Sequence, residues 1–329
     1  MSNIDYLNEM AVKAVTTVSV LGSSVLQAGY FDQYVKEATQ NRTILSDARQ
    51  IRMDSQVQNI DRVGFGSRIT QVVNEGSAIS TFNEPTFTQN VLTAKEFVAA
   101  TALTDQAARR TLEAPNFESS LISMFSEQAG ADWEERAVWG DTAKYTGGGD
   151  GGDIAMLHAQ DGWIKRADSD QLIYGGASTG EDFDFSKVGI IGALDACRAA
   201  YPKEYMNMPG QVTFYMGFDY FDAYINEWGD RYTPAGDEAL STGMARPFKG
   251  HPVKYAPVLD SAAGCAAYDE PILMVNPSNL VYGVFEDVTI EPEREAAYRQ
   301  TNWFLTAETD QDFENEEAVV VCFPDDTAP

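Results

Sequence analysis

The spacing in this chain that comes nearest to a reactive group is Gly176–Gly180 (GASTG). It matches the glycine-flanked serine of a nucleophile elbow, with Ser178 in the nucleophile's place and Gln171–Tyr174 as the preceding strand. An elbow needs a helix directly after the serine, and here Glu181–Phe185 (EDFDF) intervenes. Of the two histidines, only His251 lies downstream to act as base, and it precedes Pro252. The segment reads as a flexible turn. Gly147–Asp153 (GGGDGGD) resembles a phosphate cradle or a calcium loop, but it lacks the Gly-Lys-Ser/Thr ending and is not repeated. Asp150 and Asp153 alone supply too few oxygens for a calcium site. His158 and His251 have no ligand partner at i+3 or i+4. Glu134–Glu135 and Glu316–Glu317 are sequence neighbours that point to different faces, so neither pair forms a facing glycosidase dyad. Cys197, Cys265 and Cys322 are far apart and read as free thiols, not as a disulfide or metal framework. No catalytic, cofactor-binding or metal-ligating residue is assigned, and the chain reads as a non-enzyme.

Composition narrows the classes further. The 329 residues, 44% of them hydrophobic, suffice for two or three domains or one elaborate one. No apolar run approaches the roughly 18 residues that span a bilayer, and MSNIDYLNEM lacks the basic start of a signal peptide, so the expected setting is a cytosol. The formal net charge is −27, and from Thr301 to Pro329 there are eight acidic residues and no Lys or Arg. Nucleic-acid binders rely on clustered Lys and Arg to neutralise phosphates, and no such cluster exists here.

Helical spacing predicts one long helix over 116–139. Asn116 behind Pro115 suits its N-cap, and Glu118 complements the positive end of its dipole. Phe117, Leu121, Met124, Phe125, Gln128, Trp133 and Ala137 form its stripe, with Arg136 near the C-terminus and Gly140 as the stop. Ahead of it, residues 1–57 read as an arm with no core of its own, with a short helix over Ile44–Met53. Residues 58–94, rich in β-branched side chains and bent at Gly64, Gly66 and Gly76, read as a long two-stranded excursion. A lone hairpin is marginal in water, so a long one implies a surface to lie on. Beyond the helix, Lys144–Gly180 is loop-rich. Ser186–Tyr201 reads as a helix, Val212–Met216 as a buried strand, and Phe218–Trp228 as a second helix, which together suggest a compact α/β unit. Ile272–Val275 is read as a buried strand, and Val284–Ile290, Trp303–Thr309 and Ala318–Phe323 as strands of one C-terminal sheet.

In this order the elements resemble the major capsid protein of tailed bacteriophages, the Hong Kong 97-type fold shared with encapsulin shells. The stretches that carry the likeness are Lys95–Asp141, Asp161–Lys165 (DGWIK), Phe248–Val253 (FKGHPV) and Ile272–Phe323. The resemblance implies an α+β fold with an N-arm at 1–57 and an E-loop at 58–94. A peripheral domain would comprise 95–185, with the spine helix 116–139, and the C-terminal strands of 271–329. An axial domain would occupy 186–270. It further implies a homo-oligomer of hexamers and pentamers closing an icosahedral shell around double-stranded DNA, without sequence-specific binding or a membrane. Separate scaffolding and portal proteins, and optionally a cement protein, are the implied partners, with assembly in the host cytoplasm and residence in the virion capsid. An encapsulin-like compartment and a hydrolase using Ser178 are the alternatives. A lumen lined with carboxylates would keep packaged DNA mobile.

Some members of that family cross-link through an E-loop lysine, and this sequence has no lysine between Lys36 and Lys95. A boiled denaturing gel of assembled particles is expected to show single chains only; a covalent ladder would contradict this.

Overall fold

The computed structural model describes residues 43–64, 69–70, 82, 84–104, 117–143, 152–176, 182–207, 212–229, 246–260 and 270–324. In chain order they form α1 (Thr43–Asp47), β1 (Arg49–Arg52), β2 (Val57–Gly64), β3 (Thr86–Thr93), β4 (Lys95–Thr104), α2 (Phe117–Trp139), α3 (Gly152–Ala159), α4 (Trp163–Arg166) and β5 (Leu172–Tyr174). There follow α5 (Phe185–Ala200), β6 (Thr213–Met216), α6 (Phe218–Gly229), β7 (Val253–Tyr255), β8 (Ile272–Val275), β9 (Leu280–Glu295), β10 (Gln300–Phe313) and β11 (Val319–Phe323). The fold is a mixed α+β one.

The strands group into a four-stranded sheet ordered β1-β9-β10-β4, a five-stranded sheet ordered β5-β11-β8-β6-β7, and the hairpin β2-β3. In the five-stranded sheet β6, β8 and β11 are buried at every residue, which is why they read as unbroken apolar runs. Side chains alternate across a strand, so each serves two cores. Tyr215, Leu273, Val275, Val319, Val321 and Phe323 face the core that includes α2. Phe214, Met216, Ile272, Met274, Val320 and Cys322 face a second core closed by α5 and α6.

Several sequence expectations change here. The helix expected over Ile44–Met53 is only α1; the chain then turns into β1, which pairs in parallel with β9. This stretch is not coreless, because Ile44 and Leu45 join the main core and Met53 packs with Leu92 and Val281. The Glu134 carboxylate explains the docking: its Oε1 accepts the backbone N–H groups of Ile44 and Leu45 at 2.9 and 3.1 Å. The strands expected in one C-terminal sheet divide between two, with β9 and β10 in one and β11 in the other. The five-stranded sheet also takes β5, β8 and β11 from outside 186–270.

Helix α2 has the expected length, but its stripe is only partly buried: Met124 and Gln128 are exposed, and the side chains of Phe117 and Leu121 lie outside the described residues. Met124 is two-thirds exposed and Phe125 is half-buried against the main core, whereas Trp133, Ala137, Val138 and Trp139 are fully enclosed. Its end is set by a close crossing. Gly140 N–H donates to the Arg136 carbonyl at 2.9 Å, and Gly162 N–H donates to the Gly140 carbonyl at 2.7 Å. A Cβ on Gly140 would lie 2.3 Å from the Gln160 carbonyl oxygen, and one on Gly162 would lie 2.7 Å from the Val138 carbonyl oxygen. Gly140 is required for close approach, not for a left-handed cap. Asp161 secures the crossing by accepting the Thr142 N–H and hydroxyl, both at 2.8 Å.

Because backbone, not a flexible side chain, blocks the space, Gly140→Ala should lose about 2 kcal/mol of stability or more. Urea unfolding of the two chains measures this; an unchanged midpoint would show that the crossing yields without cost.

Candidate functional site

The hairpin β2-β3 stands out because its two faces differ. Register pairs Val63 with Phe87, Asn59 with Val91 and Val57 with Thr93, which puts Val57, Val63, Phe87 and Val91 on one face. These four residues are 52%, 58%, 67% and 47% exposed, an apolar stripe interrupted by Asn59 and by the hydrogen-bonded pair Asp61–Gln89, with no cover from the chain's own described residues. The opposite face is fastened down. Leu92 is fully buried with Met53, Ala94 and Val281. Asn90 Nδ2 donates to the Phe313 carbonyl at 2.7 Å, and Arg62 donates to Tyr205 Oη at 2.7 Å and to Asn315 Oδ1.

The hairpin's return strand ends at Thr93, on a buried polar hub. Thr93 N–H donates to Asp310 Oδ2 at 2.6 Å, and its carbonyl accepts from Gln160 Nε2 at 3.0 Å. Gln160 Nε2 also donates to the Thr309 carbonyl at 3.1 Å, and its Oε1 accepts from Arg136 Nη1 at 2.8 Å. Arg136 is wholly buried; its Nη2 donates to Thr309 Oγ1 at 2.6 Å, and its guanidinium lies 3.8 Å from the Phe97 ring centroid. The sequence marks Arg136 only as a residue near the helix C-terminus. It instead reaches from α2 across to β4 and β10, and burial lowers its pKa from the ordinary arginine value.

Beside it, Arg166 bridges two carboxylates, with Nη2 to Asp310 Oδ1 at 3.0 Å and Nη1 to Asp312 Oδ2 at 2.9 Å. Trp163 Nε1 donates to the Asp312 carbonyl at 3.1 Å, and Gln311 Nε2 donates to the Asp161 carbonyl at 2.9 Å. The Asp310 side chain is 1% exposed. Burial pushes the Asp312 carboxyl up to about 6, outweighing the attraction of Arg166. Further back along the same sheet Glu96, Glu308 and Glu286 stand abreast across β4, β10 and β9. There burial, then the two flanking carboxylates, raise Glu308.

The residues weighed for chemistry do not converge. Ser178 and Asp150 lie outside the described residues. Asp153 falls in α3, so the glycine-rich run expected as loop is helical from Gly152. His158 is also on α3, while buried His251 sits on a tight turn with Nδ1 3.2 Å from the Val212 carbonyl oxygen. Its pKa is lowered by burial. Glu134 serves as the cap for α1. Among the described residues no group of three His, Cys, Asp or Glu side chains is arranged to hold a metal ion, and no helix is long and apolar enough to cross a membrane.

A raised carboxyl stabilises the fold only while protonated. The Asp312 contribution is therefore full below about pH 4 and is lost as pH rises through 6, about 3 kcal/mol for a shift of two units. The difference in urea stability between Asp312→Asn and the parent chain should change by that amount between pH 4 and pH 8. A constant difference would remove Asp312 as the source.

No protein-family model matches the chain. It is 28% identical over 319 residues to a Bacillus subtilis (strain 168) protein provisionally named as prophage capsid protein YqbE, covering 94% of this chain and 96% of that one. Among solved structures it is similar to the satellite phage P4 procapsid that includes the size determination (Sid) protein, with a TM-score of 0.66 and 11% identity over 97% of this chain and 98% of that one. It is also similar to Mycobacterium phage Cain, with a TM-score of 0.56 and 14% identity over 87% and 91% of the two chains. The capsid of the native GTA particle gives a TM-score of 0.58 and 14% identity over 88% and 91%. The chain is thus similar over nearly its whole length to phage capsid proteins and shares their fold.

Proposed function

We propose that the chain is the major capsid protein of a tailed bacteriophage, assembling as hexamers and pentamers into an icosahedral shell around double-stranded DNA. The observation that carries this reading is the two-faced hairpin. One face is locked to the subunit through Leu92, Asn90 and Arg62, and the other presents Val57, Val63, Phe87 and Val91 to solvent. A monomer gains nothing from such a stripe, whereas a repeated subunit covers it with a neighbour in every contact. Many modest contacts of this kind sum to a stable closed shell.

The finer reading is the Hong Kong 97-type arrangement. The hairpin belongs to the E-loop at 58–94, and residues 1–57 to the N-arm. Helix α2 is the spine of the peripheral domain formed by 95–185 and 271–329. The axial domain at 186–270 contributes α5, β6, α6 and β7. The role is structural, in the virion capsid, after assembly in the host cytoplasm with separate scaffolding and portal proteins and, where present, a cement protein. The capsid name of the 28%-identical relative supports a virus shell over an encapsulin-like compartment.

Replacing Phe87 with Asp places a charge in the exposed stripe without touching the anchored face. Particles from infected or induced cells carrying the parent chain should appear as closed shells in negative-stain micrographs, and the Phe87→Asp chain should stay folded by circular dichroism while shells fall at least tenfold. Shells of unchanged number from the Phe87→Asp chain would refute the interface. Nuclease-protected DNA in particles from infected or induced cells separates a virion from a cargo compartment.

A further inference from the structure

Strand β4 forms one edge of the four-stranded sheet, and among the described residues it pairs only with β10. In an antiparallel pair alternate residues turn both backbone groups to the partner, and the others turn theirs away. The outer side of β4 therefore carries a row of N–H and C=O groups that no described strand receives. Proteins close such edges with Pro, with bulges or with outward Lys. β4 has no Pro, and its register with β10 runs unbroken from Lys95 to Thr104. Its one cation, Lys95, donates to the Ala159 carbonyl.

The sheet face opposite Leu305 and Ala307 gives this edge a charge. Glu286, Glu308 and Glu96 lie in one row across β9, β10 and β4, and the row ends at the edge. Glu308 Oε2 is enclosed there with no hydrogen-bond partner among the described residues. From that row to the far end of the sheet the same face carries Glu291, Glu293 and Glu295 and no Lys or Arg. On β4 it shows Val98, 55% exposed, with exposed Ala100 and Ala102. The next place in the row, beside Glu96, lies off the edge, where a cation would offset the repulsion among three carboxylates.

We propose that β4 is a docking edge for an extended, lysine- or arginine-bearing segment of a separate protein, which joins the sheet as a further strand. Main-chain hydrogen bonds to β4 hold the segment, and its alternating side chains decide which sequences fit. Its cations fall beside Glu96 on the acidic face, with their aliphatic stems over Val98. Its intervening apolar side chains fall beside Ala99 and Leu103, which are half-buried on the opposite face. A second copy of this chain fits the edge less well, because 50 acidic residues against 23 Lys and Arg would bring like charges together. The edge is a different surface from the stripe on β2-β3 and does not depend on what covers that stripe.

The test uses the purified full chain and a short peptide of alternating Lys and Val. A control peptide has its central Val replaced by Pro. Residue-resolved hydrogen exchange should find alternate amides of β4 fast in the free chain and slowed about tenfold or more by the Lys-Val peptide, with β11 unchanged. The Pro-bearing peptide keeps the charge but cannot complete the ladder, and should give no such protection. Glu96→Lys should weaken binding of the Lys-Val peptide about tenfold or more in fluorescence anisotropy, with an unchanged circular dichroism spectrum. Equal protection by the Pro-bearing peptide would reduce the contact to charge alone and overturn the proposal. So would β4 left unprotected at saturating peptide, or β4 amides in the free chain all as slow as those of β10, which would mean that the chain's own residues cover the edge.

Discussion

Arg136 is the constraint on which the rest depends. A guanidinium without water must have its donors met inside the protein, because a buried charge left unpaired costs several kcal/mol. Gln160 and Thr309 accept from its two Nη groups and Phe97 covers its face, while Nε keeps no hydrogen-bond partner among the described residues; each of the three partners comes from a different element. Satisfying one side chain therefore fixes where α2, the turn before α4, β10 and β4 lie relative to one another. Asp310 and Arg166 extend the network to Thr93, where the hairpin leaves the body. Polar groups are directional, so the hub sets the position of the hairpin in a way that apolar packing alone does not.

The second organising fact is that one sheet serves two cores. Tyr215 faces the α2 side and donates a 2.7 Å hydrogen bond to Asp47 Oδ2 of α1, while its neighbours Phe214 and Met216 face α5 and α6. A shift of one residue in β6 would exchange the two faces and bury Tyr215 against the wrong helices. The two halves of the molecule are thus held in register by the same strands, and the hairpin is carried on a rigid base. Rigidity there matters if a neighbour is to find the apolar stripe already formed, because ordering the interface on association would subtract from its strength.

Where local pattern determines structure, it was legible in the sequence. The extent of α2, the buried runs Ile272–Val275 and Val319–Phe323, and the helix–strand–helix order from Phe185 to Gly229 all appear as read. Distant partners were not legible. Nothing near Arg136 in sequence reveals that its donors point to Gln160 and Thr309. Gly140 and Gly162 each look like ordinary turn residues until the two backbones are seen to cross. The division of β10 and β11 between two sheets is likewise invisible in their sequence, since only a short turn separates them. The hairpin's two faces were half-legible: alternation marked strands, but which face a body side would cover depends on Leu92 meeting Met53 and Val281.

The central claim is that the buried hub, and not the hairpin's own pairing, holds the hairpin root. Residue-resolved hydrogen exchange of the Thr93 amide tests it most directly. If Asp310 in the hub holds that amide, Thr93 should exchange as slowly as the buried amides of β11, and Arg136→Met should accelerate it at least a hundredfold while β11 stays protected. Exchange at Thr93 as fast as at Phe87, or unchanged by Arg136→Met, would contradict the account.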